Sequence, residues 1–174
     1  MSELFLNVFY SLEIRSKIKI CSALALLGII VFGNHLHNSL QFDSVLYVKN
    51  DVNLQNPEKI INWEFISKEY LSRGLTRITI ATNAMLGKVN PFGYHLFNLT
   101  VHTLNTILVF FISLEAFRYF GLRYTANQNS KASFVGFFTS VGFLCHPLQT
   151  ESVVYIVSRS GLLAATIYLS GFLL

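Results

Sequence analysis

Apolar residues fall into blocks along this chain, with the polar residues gathered between the blocks rather than alternating inside them. The blocks are Ile20–Phe32, Thr76–Leu86, Phe92–Glu115, Ala132–Cys145 and Leu162–Leu174. Blocks of this kind predict helices, because a half-buried strand would show period-two alternation. A bilayer core needs about 20 consecutive, mainly apolar residues to be crossed. On that measure we expect about four spanning helices, near 17–36, 92–115, 130–146 and 160–174. The block Thr76–Leu86 is too short to span and is expected to lie on, or dip into, the bilayer surface. The predicted fold class is therefore all-α, a polytopic transmembrane protein with a helical, juxtamembrane outer loop at about 38–91.

The ends of the blocks carry their own signals. Pro91-Phe92-Gly93 opens the second span, and Pro147 ends the third, since proline has no N–H to donate and its ring clashes with the preceding turn. Leu148–Ser158 reads as a juxtamembrane helix leading to a fourth span that starts at Gly161. In the outer loop Asn56 is a candidate N-cap with Pro57 at the first helical position, and Ile60, Ile61, Trp63 and Phe65 give a short amphipathic segment. At the start, Phe5, Leu6, Val8, Phe9 and Leu12 suit an interfacial helix. Arg15, Lys17 and Lys19 then precede the first span, and no small-x-small cleavage pattern follows it, so an uncleaved helix is expected. Arg118, Arg123 and Lys131 form the next basic cluster, two crossings later. Both clusters are cytoplasmic under the positive-inside rule, which places the long loop on the other side. The chain stops at Leu174 inside an apolar run, from which we expect a longer polytopic protein with more helices.

Composition agrees with a membrane reading. Of the 174 residues 52% are hydrophobic and 13% charged, and the mean hydropathy is +0.49. Soluble domains carry about 25% charged residues. The net charge of +4 thus reads as helix-flanking basic residues and not as a nucleic-acid footprint. Cys21 and Cys145 are too few for a disulfide framework and are expected as small buried hydrophobes. No spacing of a structural zinc site occurs.

The candidate chemistry lies where blocks meet. An ionisable group at a helix centre costs about 2.5–3.5 kcal/mol on the insertion scale, so such groups mark functional positions by default. At about 100° per residue, His95, Asn98, His102 and Asn105 fall on one stripe of the second span, within an arc of roughly 80°. The stripe faces other helices or a wet cavity: it is interhelical glue, or its outer end, His95 and Asn98, lines a substrate cleft. His146, Glu151 and Arg159 follow the third span, and Asp43 follows the first. All are expected at one face of the membrane. Each has a structural alternative. Asp43 could cap a loop segment, His146 could cap the third helix, and Arg159 could anchor at the interface. Glu151 could pair with Arg159, eight residues on and about 12 Å along one helix face. Asn98-Leu99-Thr100 matches a glycosylation acceptor but lies inside a span and is discounted.

These residues, taken in order, resemble a known family. They are Phe42-Asp43 with Tyr47-Val48 and Asn50, Arg73-Gly74-Leu75-Thr76, and Asn90-Pro91 with Gly93-Tyr94-His95, Asn98 and His102. His146-Pro147 with Thr150-Glu151 and Val153, then Ser158-Arg159 with Leu162-Leu163, complete the series. The order is similar to the N-terminal part of the GT-C membrane glycosyltransferases related to the transmembrane and tetratricopeptide-repeat O-mannosyltransferases and their bacterial relatives, from about Leu40 to the end. The resemblance implies that residues 1–174 are the N-terminal part of a GT-C-like transmembrane domain. It also implies a multi-pass enzyme of a bacterial inner membrane or an endoplasmic reticulum membrane. Such an enzyme takes a sugar, mannose among the candidates, from a polyprenyl-phosphate carrier to a protein or glycan hydroxyl, outside the cytoplasm and among membrane lipid.

By that resemblance Asp43 is the catalytic base for the acceptor hydroxyl, help worth about 10²–10⁴-fold. Glu151 is a second catalytic acid that orients the acceptor, a histidine or a metal. His95, Asn98, His146 and Arg159 are expected to bind substrate, Arg159 and the histidines meeting the lipid phosphate. Two acids facing one cleft are compatible with a divalent metal and do not require one, so no cofactor is certain. The chain departs from the family where Ser44 replaces the second of a pair of acids, where Gly74 replaces proline, and where Ser160-Gly161 follows Arg159 in place of an acid. The first departure weakens any metal role for that loop. The rival expectation, from a different class, is a non-catalytic membrane scaffold or transporter module in which the polar stripe is only helix–helix glue.

Overall fold

The computed structural model describes residues 14–41, 43–50, 74–120 and 126–174, and every regular element within them is helical. Helix α1, Ile14–Phe32, continues into a 3₁₀ turn at Gly33–His35. A single π-helical turn follows at Val45–Lys49. Helix α2 is Gly74–Gly87, α3 is Pro91–Phe120 and α4 is Ala126–Leu144. The short α5, Gln149–Val154, leads through a 3₁₀ turn at Ile156–Ser158 into α6, Arg159–Leu173.

Helix α3 is the axis of the molecule: α1, α2, α4, α5 and α6 all pack against it. Its start is locally encoded. Asn90 is the cap, its Oδ1 accepting the Phe92 N–H at 3.1 Å, and Pro91 takes the first helical position, where a missing N–H costs nothing. Just before it, Lys88 turns the chain with φ 52°, and its N–H bonds back to Ala84 O at 2.8 Å, closing α2. The Tyr94 hydroxyl donates to Lys88 O at 2.7 Å, so the α2–α3 corner is tied down from the α3 side. With 30 residues α3 exceeds the bilayer core, being about 45 Å long against roughly 30 Å.

Two apolar clusters set the height of the packing. Leu24, Phe110, Leu114 and Ala132 join α1, α3 and α4 at one end. Val48, Ile80, Ala81, Tyr94 and Ile156 join the π turn, α2, the start of α3 and the chain before α6 at the other. Gly136 allows α3 and α4 to approach: a Cβ there would meet Phe110 Cδ2 at 3.1 Å. Aromatics such as Phe134, Phe138, Tyr168 and Phe172 remain exposed on the outer faces of α4 and α6.

This is the architecture of an all-α membrane protein, with three helices among the described residues long and apolar enough to cross a bilayer, Arg15–His35, Pro91–Phe117 and Ile156–Leu173. The expected span at 130–146 is not one of them. Helix α4 begins at Ala126, so it takes in the polar residues Asn127–Asn129 ahead of the expected span, and it falls short on apolarity. The juxtamembrane helix expected over Leu148–Ser158 also needs correction. The helix stops at Val154, and Tyr155 is extended, with φ −87° and ψ 112°. The Val153-Val154-Tyr155 run explains the stop, since β-branched and aromatic side chains lose rotamer freedom in a helix. Cys145, expected buried, is exposed, and Cys21 is half-buried. The expectations for the N-terminal amphipathic segment up to residue 13, for Asn56-Pro57 and Trp63, and for Arg73 and Arg123 fall outside the described residues.

Candidate functional site

The polar stripe of α3 is buried along its whole length: His95 is 5% exposed, and Asn98, His102, Asn105 and Thr106 are at 0%. Burial on this scale requires partners, because an unbonded amide or imidazole in an apolar setting is costly. Most of the partners are backbone carbonyls of other elements. His95 Nε2 donates to Asn38 O at 3.2 Å, Asn98 Nδ2 to Val153 O at 3.3 Å, His102 Nε2 to Leu144 O at 3.2 Å and Asn105 Nδ2 to Leu162 O at 3.0 Å. Leu144 is the last residue of α4, and Val153 lies in the last turn of α5. The last carbonyls of a helix have no partner within it, so α3 supplies from its side what those two helix ends lack. Both histidines donate from Nε2, which fixes the neutral tautomer with a bare Nδ1. Neither Nδ1 has a partner among the described residues.

Beside the outer end of this stripe is a cavity of about 370 Å³, within the ligand-pocket range of roughly 300–1,000 Å³. One wall comes from the chain after α1, with Asn38, Ser39 and Gln41, and from Ser44. The facing wall comes from α5 and its exit, with Thr150, Glu151 and Tyr155, and His95 joins them from α3. Ser39, Gln41, Thr150 and Glu151 are exposed at the rim, while Ser44, His95 and Ile156 are buried at the floor.

The six residues singled out from sequence divide into four groups. Glu151 and His95 line the cavity. Asp43 is exposed, and the next residue, Ser44, is 1% exposed and lines the floor. Asn98 and Arg159 form a buried pair outside the lining: Arg159 Nε donates to Asn98 Oδ1 at 2.9 Å and Nη2 to Tyr94 O at 3.1 Å, over the Phe97 ring at 4.3 Å. Arg159 is fully buried and does not pair with Glu151, because the break at Tyr155 takes the two out of one helix. His146 is exposed, and its Nδ1 accepts the Leu148 N–H at 3.3 Å in the turn after α4. Among the described residues no three His, Cys, Asp or Glu side chains are grouped as metal ligands. Sequence reasoning missed Asn38, Ser39, Gln41 and Tyr155 as wall residues. They carry no spacing signal, whereas His95, Thr150 and Glu151 stood in the motifs.

No family model matches the chain, and no solved structure matches it. Curated proteins do. Human protein O-mannosyl-transferase TMTC1 is 25% identical over 155 residues, 82% of this chain and 16% of its own length. Drosophila melanogaster protein O-mannosyl-transferase Tmtc3 is 29% identical over 164 residues, 83% of this chain and 18% of its own. Human TMTC4 reaches 32% over 104 residues, 58% of this chain and 14% of its own. The chain therefore spans less than a fifth of the length of these relatives. Over that segment the chain is similar to proteins named O-mannosyl-transferases TMTC1, Tmtc3 and TMTC4.

Proposed function

We propose that this chain forms part of a multi-pass glycosyltransferase that passes a sugar, mannose being the candidate its relatives suggest, from a polyprenyl-phosphate donor to a protein hydroxyl. The observation that carries the reading is the shared cavity of Glu151 and His95, in a segment homologous to proteins named O-mannosyl-transferases. A hydroxyl is a weak nucleophile, and a carboxylate at hydrogen-bond distance accelerates its attack by taking the proton as the bond forms. Glu151 is the carboxylate on the cavity wall, so we assign it the proton-accepting role, with Asp43, exposed beside Ser44 in the chain, as a second acid. His95 offers the hydroxyl an imidazole with a fixed tautomer. The cavity opens on the side away from the cytoplasm, the orientation favoured by the basic residues before α1. The membrane is a bacterial inner membrane or an endoplasmic reticulum membrane.

The test is sugar transfer by the full-length protein carrying this segment, with a polyprenyl-phosphate-linked mannose and a serine/threonine peptide. Glu151→Gln is expected to lower turnover by at least about 100-fold while membrane insertion and thermal stability are retained, and Asp43→Asn by less. Wild-type transfer by Glu151→Gln removes the assignment. Cysteine labelling that puts positions 39 and 150 on the cytoplasmic side removes the orientation.

A further inference from the structure

Arg159 is a cation buried at 0% exposure at the first residue of α6, and among the described residues no carboxylate contacts it. A guanidinium in such a place is held by hydrogen bonds and ring faces or not at all. Its bonds run in one direction. Nε holds Asn98 Oδ1, and Nη2 holds the Tyr94 carbonyl one turn earlier on α3. With its Oδ1 engaged, the Asn98 amide can turn only one way, and that way aims Nδ2 at Val153 O. Val153 is in the six-residue α5, which also carries Thr150 and Glu151 on the cavity wall. A helix of six residues does not stand on its own hydrogen bonds. Its preceding turn is exposed at Cys145–Leu148, and the chain breaks directly after it at Tyr155. The anchors of α5 to the interior thus include the Asn98 bond and the buried Val153 side chain, packed with Phe32 and Leu99, with Val154 packed against the same cluster.

We infer that Arg159 is a positioning residue. Acting through Asn98, it fixes the orientation of α5 and so the place of the Glu151 carboxylate at the cavity. The consequence for turnover rests on the proposed glycosyl transfer; the structural linkage does not.

Asn98→Asp separates the two ends of the linkage. It keeps an oxygen acceptor for Arg159 Nε and removes the donor to Val153 O, setting a carboxylate oxygen against that carbonyl. Hydrogen exchange of the full-length protein in nanodiscs is read first. The amides of Thr150–Tyr155 are expected to exchange about 5–10-fold faster in Asn98→Asp than in wild type, with α3 and α4 unchanged. Exchange in that segment at the wild-type rate overturns the linkage. Arg159→Lys should produce the same local acceleration, because an ammonium lacks the fork that bonds Asn98 and Tyr94 together; wild-type exchange in Arg159→Lys overturns the part given to Arg159. Turnover is read second. A fall in kcat with little change in KM for the acceptor in Asn98→Asp supports positioning of Glu151, and wild-type kcat overturns it. If the wild-type protein transfers no sugar, the glycosyltransferase reading fails, and the exchange data still decide the linkage.

Discussion

The two halves of the α3 stripe have the same chemistry and different surroundings. Each holds a histidine and an asparagine, and each gives hydrogen bonds to carbonyls of other elements. At the inner half, His102 lies between the Phe32 and Phe143 rings, each with its centroid 5.5 Å away, and Asn105 Oδ1 accepts from Thr166 Oγ1 at 2.7 Å. His102 and Asn105 are not among the residues that line the cavity beside His95. At the outer half the same residue types stand beside a cavity whose rim holds a carboxylate. Polar residues in an apolar helix therefore do not by themselves mark a reaction site. In the inner half they complete helix ends and join helices; in the outer half they also bond to the two walls of the cavity.

This contrast can be broken by experiment. The largest expected effect is the loss of turnover in Glu151→Gln, about 100-fold or more at unchanged thermal stability, which assigns chemistry to the outer half. His102→Leu should do the reverse. It leaves the Leu144 carbonyl without its donor and is expected to lower stability by about 1–3 kcal/mol in thermal unfolding, with turnover per folded molecule close to wild type. Turnover lost in His102→Leu without loss of stability would erase the difference between the halves. Asn105→Leu is expected to cost less, about 1 kcal/mol, because Leu162 O still receives Thr166 Oγ1 at 2.9 Å. His146→Ala should have the smallest effect, below about 0.5 kcal/mol, since the side chain is exposed and bonds only within its own turn.

Much of the scaffold was legible in the residues themselves. The apolar blocks marked α1, α3 and α6, Pro91-Phe92-Gly93 marked the start of α3, and the spacing of His95, Asn98, His102 and Asn105 put them on one buried face. These are properties of length, hydropathy and helical period, all local along the chain. The end of α5 was less legible: helix propensity weakens at Val153-Val154-Tyr155, but the break at Tyr155 also depends on what the carbonyls of that turn bond to, and Val153 O bonds to Asn98, 55 residues away. The start of α4 lies ahead of the expected span at 130–146, because Asn127–Asn129 carry no apolar signal.

What the sequence by itself determined is that buried polar groups on α3 had to meet partners, since the cost of leaving them unbonded in an apolar setting does not depend on the fold. Only the tertiary structure decided which partners. It sent Arg159 inward to Asn98, where sequence reading had set it facing a phosphate, and it brought Glu151 and His95 to one cavity while leaving Asp43 exposed and turning Ser44 toward the floor. The reason is that a helical period says which residues share a face, whereas the partner of that face is chosen by packing between elements far apart in the chain.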